Sequence, residues 1–361
     1  MQSAPTELER AKAEVLLGCY WARVGDISAA EQIRTSSRTR YPSGVYGELT
    51  ILHMCLEGLM QYYSEQSPAA GDRLKSAHAL ATTYRFRSEQ AFSAVWLAHV
   101  EFNRDRWEAT FDALRSCLAA LEPEDRATQG RLSLVVADSL NHSGEIPLSR
   151  IWYDHARTLF ASIGDHAAIE AFLYNGAVLR LHSARLRSIA EPPTSEELVR
   201  LGGEIDSATN YQRITEQRSL DYLLAAATAS LHILREDFPA AQRVLIELFG
   251  TGQIPKASTA PALMLADLAL CAAKLEGREQ VISALNAAET ALPANLAPDD
   301  FAVCAHSLAA ACNAIGHTDA AIHWAIQRDE SLSRFRMSQD RLRALLAPWM
   351  KNPQEAIVMI N

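Results

Sequence analysis

The chain has 361 residues, 48% hydrophobic and 21% charged, a balance that excludes an intrinsically disordered protein. Sixteen glycines and 14 prolines are too few for the turns of an all-β chain of this length. A formal net charge of −9 argues against nucleic acid as a main partner, because phosphate binding needs a dense cationic surface. Length alone suggests two compact domains, unless a repeat array lets one body grow by stacking.

The N-terminal stretch Met1 to Lys12 has no apolar core behind a basic start, so no secretory signal is expected, and no run of about 18 apolar residues reads as a membrane span. Read in chain order, the first clear unit runs from Ala11 to Gly44. Leu17-Gly18 sits mid-helix, Trp21 follows three residues after the glycine, Gly25-Asp26 breaks the helix, Ala30 comes four residues later, and Pro42 closes the unit. Each has a physical cause: Gly18 removes a side chain so that a second helix can come close, and Gly25 tolerates the positive φ that ends a helix. Asp26 can cap the next helix, Ala30 is small where the helices cross, and Pro42 cannot continue a helix.

The same punctuation recurs. Ser67-Pro68 marks a second unit, since serine can cap a helix and proline can occupy its first turn. Arg104-Asp105 precedes Ala109, and Gly144-Glu145 precedes Ser149. Glu191 to Ser195, with two prolines, is the strongest breaker in the chain and is expected as an exposed loop between two helices of one pair. Glu236-Asp237 then precedes Ala241, Gly277-Arg278 precedes Ile282, and Gly316-His317 precedes Ala321. Successive turns fall about 40 residues apart, giving eight helix pairs. Between them the apolar period is helical, as in Leu132, Val135, Val136 and Leu140, or Ile151, Ala156, Leu159, Phe160 and Ile163. Beyond the eighth pair, Ala325 to Met350 reads as a long charged helix with a thin stripe of Leu332, Phe335, Leu342, Leu345, Leu346 and Trp349, expected to cap the array or to serve dimerisation or output. The arginines at 34, 38 and 40, and at 334, 336, 341 and 343, read as solvated helix faces.

The order Leu-Gly, aromatic, Gly-Asp, Ala, Pro in the first unit resembles the tetratricopeptide repeat, with Glu14 where that family usually has Trp and Arg34 where it has a large aromatic. The step near 40 exceeds the family's 34 and is similar to its longer-helix relatives in bacterial transcriptional regulators and signalling proteins. The resemblance implies an all-α fold, a right-handed α–α superhelix or solenoid of about eight antiparallel pairs over residues 1–325, with a capping or output helix and tail over 326–361. It also implies that the first helix of each pair lines a concave groove. Carrying the repeat register along places Arg131, Asp138 and Asn141 there from the fourth unit, and Asn175 and Arg180 from the fifth if Gly176 takes the place of Gly18. Ser230, Asp267 and Lys274 follow from the sixth and seventh, and His306 and Asn313 from the eighth, while Ala91, Ala94 and Ala98 give the third unit an open apolar stretch.

Chemistry is sparse. No nucleotide-binding glycine loop, nucleophile elbow or zinc-protease motif occurs. Asp299-Asp300 follows Ala297-Pro298 and reads as the acidic first turn of a helix. Cys304, His306, Cys312, His317 and His323 crowd the last unit without zinc-site spacing. Those cysteines, with Cys19, Cys55, Cys117 and Cys271, lie in apolar helical stretches, the pattern of buried reduced thiols in a cytoplasmic protein. No catalytic residue, cofactor or metal is expected. The expected function is a non-enzymatic scaffold that binds a protein or peptide along the concave face, with a sensory or regulatory module as the alternative. A scaffold needs a long open face, whereas a sensor needs a closed pocket and an output element.

Overall fold

The computed structural model describes residues 6–215, 221–252, 254, 259–351 and 357; the first five residues and most of the tail past Lys351, assigned above from the sequence, lie outside the described residues. The described residues form sixteen helices and no strand. In order these are α1 (Glu7–Arg23), α2 (Ile27–Arg40), α3 (Gly47–Glu65), α4 (Ala69–Tyr84), α5 (Arg87–Phe102), α6 (Trp107–Ala120), α7 (Arg126–His142) and α8 (Ile146–Ile163). They continue as α9 (His166–Ser188), α10 (Ser195–Thr215), α11 (Asp221–Leu234), α12 (Phe238–Thr251), α13 (Ala260–Leu275), α14 (Arg278–Ala291), α15 (Pro298–Ala314) and α16 (Thr318–Met350). Each odd helix packs on the even helix that follows it and on the next odd helix, so neighbouring pairs stack through their first helices.

Five of the eight turns inside pairs share one mechanism. A residue in the left-handed region ends the first helix, and the next residue caps the second. Gly25 (φ 86), Gly144 (φ 89) and Gly316 (φ 75) take the first place, as do Asp105 (φ 56) and Glu236 (φ 58). Asp26 and Asp237 take the second, accepting hydrogen bonds from the amides of Ala29 at 2.9 Å and Ala240 at 3.2 Å. Two expectations shift by one residue. The third-unit turn has Asp105, not Arg104, in the left-handed place and Arg106 as cap, while Gly277 is itself the cap at φ −82. Counting four from each cap gives Ala30, Thr110, Ser149, Ala241, Val281 and Ala321, all buried at the helix crossing. The small place therefore belongs to Thr110 rather than Ala109, and to Val281 rather than Ile282.

Gly18 acts as the sequence implies: a Cβ there would lie 3.0 Å from Leu56 and 3.1 Å from Ile33, on the two helices that approach it. Gly176 is not its counterpart. A Cβ there would meet only Arg180 of its own helix, at 3.2 Å.

First and second helices are buried differently. In α7 every residue from Thr128 to Asn141 is buried, and α5 is nearly as enclosed. Ala91, Ala94 and Ala98 are at most 1% exposed, so the third unit presents no open apolar stretch. Second helices such as α12 and α14 bury a single stripe, Ala241, Leu245 and Leu248 or Val281, Leu285 and Ala288. The loop from Glu191 to Ser195 joins α9 to α10 and is largely exposed, as expected. All six cysteines are buried and unpaired, and no helix of the described residues is long and apolar enough to cross a membrane.

The boundary at 325/326 falls inside α16, a continuous helix of 33 residues. It begins as the second helix of the eighth pair, with Ala321 in the core of α13 to α15, and it ends in the core of the first half. Leu342, Leu346 and Trp349 pack there among residues of α1 to α9, with the Trp349 ring 5.9 Å from Trp152. Hydrogen bonds fix the seat. Trp107 Nε1 donates to Ser338 Oγ at 2.8 Å, Gln339 Nε2 to the His142 carbonyl at 2.8 Å, and Arg343 Nε to the Ser143 carbonyl at 3.0 Å. The apolar stripe at the end of α16 is thus covered by this chain's own third and fourth pairs.

Candidate functional site

Polar residues on the first helices form two buried networks. In the first, Asp138 of α7 accepts from the Tyr153 hydroxyl of α8 at 2.6 Å and from Asn175 Nδ2 of α9 at 2.8 Å. Burial pushes the Asp138 carboxyl up to about 7, against the lowering effect of those two donors and of Arg131. In the second, Arg185 of α9 donates to both oxygens of Asp267 on α13, each at 2.7 Å, and reaches Ser230 of α11 at 3.2 Å. Ser307 of α15 donates to Asp267 at 3.2 Å. One bidentate pair, with Arg185 and Asp267 5% and 2% exposed, ties four first helices together. Removing one member of such a pair would strand a buried charge, a loss of about 3–5 kcal/mol.

The expected open groove therefore needs correction. Arg131, Asp138, Asn141 and Asp267 are no more than 3% exposed, and Ser230 is 9% exposed. Arg131 stacks over Trp96, 4.3 Å from the ring centroid, with Phe160 at 5.7 Å. Arg180 faces its own pair, where Nε donates to Glu204 of α10 at 2.8 Å. Lys274 and Asn313 are exposed and His306 is half-buried, and Lys274 Nζ lies 5.5 Å from the Phe238 ring. Of the ten expected groove residues, Asn175 and Ser230 line the main cavity and Asn141 the smaller one beside it.

That main cavity is a chamber of about 670 Å³ among the first helices. Tyr62 of α3, His99 of α5, Trp107 of α6, Tyr174 and His182 of α9, and Tyr222 of α11 contribute to its wall. Gln66, just past α3, donates from Nε2 to the Tyr222 hydroxyl of α11, joining opposite sides. A second long-range tie lies outside the chamber wall, where Arg23 at the end of α1 donates to Asp165 before α9 at 2.8 Å. The adjoining cavity, about 370 Å³, shares His142, Leu179 and His182 with the chamber and is walled on its far side by Leu332, Phe335 and Gln339 of α16.

One wall of the chamber is acidic. Asp299 and Asp300, in the first turn of α15, approach His182 Nε2 at 3.2 and 3.8 Å. Burial works against ionisation of both. The close approach and charge of His182 nevertheless hold Asp299 well below the usual carboxylate range. Asp300, next to that charge, is pushed up to about 6 by burial and by Asp299. His182 is raised, its desolvation outweighed by the two carboxylates. Asp105 is exposed as a residue, but withdrawal of its carboxyl from bulk water and the charges of Asp299 and Asp300 push it up to about 7. The acidic first turn read from the sequence is present. Its meeting with His182 and Asp105 was not foreseen.

His182 and Arg185 were missed for a geometric reason. His182, seven residues after Asn175, lies about 20° round the helix from it, Arg185, ten after, about 80°, and Arg180, five after, about 140°. A strict helical count from Asn175 would have selected His182, and Arg185 follows three residues on from that. Among the described residues, no group of three or more His, Cys, Asp or Glu side chains is arranged to hold a metal ion. Comparison with protein-family models and with curated proteins finds no match to this chain.

Proposed function

We propose that the chain is a tetratricopeptide-like right-handed superhelix that works as a ligand-responsive regulatory module, binding a short peptide or small molecule inside the array rather than a long partner along an open face. The observation that carries this is the chamber of about 670 Å³, a volume suited to a small ligand, walled by first helices of both halves. Of the residues expected to line an open groove, Asp138, Asn175, Ser230 and Asp267 are instead engaged in crosslinks between helices. The responsive element is α16, because its side chains wall the adjoining cavity while its end sits in the core of the first half. A ligand that favours one seating of α16 over another would shift the balance between them, which is the requirement for a switch. Catalysis has no support in a nucleophile–base pair, and the proposed role is non-enzymatic.

The test is affinity selection of a random hexapeptide pool on the full chain, read by mass spectrometry, with Ala226→Trp as comparison. Ala226 lines the chamber and is half-buried, so the indole would fill the space a ligand needs. The expected outcome is a retained subset on the wild type that is lost from the variant, with both equally helical by circular dichroism. Equal retention by the two would place binding outside the chamber and sink the reading.

A further inference from the structure

The charges around the chamber do not balance within it. Three arginines border it, and each is engaged by a carboxylate. Arg104 and Arg106 pair with Glu101 at 3.5 and 3.4 Å, and Arg185 is held by Asp267. Three carboxylates border it as well, Asp105, Asp299 and Asp300, and the only cationic group within ion-pair distance of any of them among the described residues is His182. Asp300 lines the chamber and keeps 34% of its side chain accessible.

A second observation is independent of the acidic cluster. Asn141 is 3% exposed and lines the adjoining cavity, on the other side of the His142 and His182 wall. Its amide lies near the Tyr153 phenol, yet neither Nδ2 nor Oδ1 has a hydrogen-bond partner of proper geometry among the described residues. A buried amide with both ends unpaired is costly. His99, 6% exposed and lining the chamber, likewise leaves Nδ1 without a partner. It is a neutral imidazole, because burial first, and then Arg131 and Arg23, pull it down to about 3.

We infer that the ligand of the chamber carries a protonated amine or guanidinium, seated between Asp105, Asp299 and Asp300. This rests on the chamber being the binding site. The three carboxylates supply charge, and the neutral His99 imidazole and the Tyr174 ring border the same chamber. Crowded carboxylates that resist joint ionisation gain most from a fixed cation, which removes their mutual repulsion. Two sources share this chemistry, a free polyamine and the basic side chain of a peptide.

Calorimetric titration of the full chain separates them, with spermidine, an N-terminally blocked lysine-containing tripeptide and that same blocked tripeptide acetylated on Nζ as the probes. The expected result is binding of at least one unmodified amine probe, weakened by raised salt, with the acetylated peptide silent. Asp300→Asn and Asp105→Asn should each weaken it about tenfold, and the exposed control Asp112→Asn should leave it unchanged. Asp105→Asn is safe for folding, since asparagine is at ease in the left-handed backbone found there. Equal binding of the acetylated peptide, unchanged affinity in both chamber variants, or no binding of either amine overturns the inference. The hexapeptide selection keeps the two ideas apart. Retention lost in Ala226→Trp, but without enrichment of lysine or arginine, removes the cation and leaves the chamber standing.

Discussion

Asp138 shows how one buried carboxyl sets a pH dependence. Its folded pKa is raised to about 7 from an ordinary 3.8, so the native state holds the proton more tightly than the unfolded chain. A raised carboxyl pKa removes stability as pH rises: its contribution is neutral below about pH 4, becomes unfavourable between 4 and 7, and levels off above. An asparagine at this position would keep an acceptor for the Tyr153 hydroxyl and carry no proton to lose. The urea midpoint of Asp138→Asn should therefore gain on that of the wild type as pH climbs from 4 to 7. Parallel pH profiles for the two proteins would show that the carboxyl ionises freely in the fold. The residues singled out from the sequence were polar, inward and on first helices, and most of that was legible. What was not legible is that Asp138 and Asp267 would find partners 37 and 82 residues away, because such pairings depend on how tightly successive pairs turn.

At the scale of elements, turn chemistry was the most readable signal. Gly25-Asp26, Gly144-Glu145, Glu236-Asp237 and Gly316-His317 fall at turns between paired helices because the left-handed and capping places need adjacent residues. Arg104-Asp105 slipped by one because no glycine marks the left-handed place. The destination of α16 was unreadable from its period, which identifies a stripe but not what covers it. That stripe gives the second expectation. Trp349 is 6% exposed and meets the Trp152 ring edge-on, so Trp349→Ala should cost about 3–5 kcal/mol in urea unfolding. A change within experimental error would mean that the end of α16 is not seated in solution.

Across the whole molecule, the long-range ties set the expected cooperativity. Stacked pairs that touch only neighbours can open one at a time from an end. Here Arg23 meets Asp165, Gln66 meets Tyr222, and α16 returns to α6 and α7. The buried thiols report on both halves, with Cys55 and Cys117 in the core of the first and Cys271, Cys304 and Cys312 in the second. Their labelling should rise at one common urea concentration. Earlier labelling of Cys312 would show that the eighth pair opens independently, as a linear stack would.

The path of α16 also bears on how such a chain can change over generations. A linear stack tolerates the gain or loss of a unit, because the free end simply moves. In this chain the last helix starts in the eighth pair and must reach the fourth, so a duplicated or deleted unit between them would carry Trp349 away from Trp152. A change in copy number would break that seat, whereas substitutions elsewhere and changes in loop length would leave it in place.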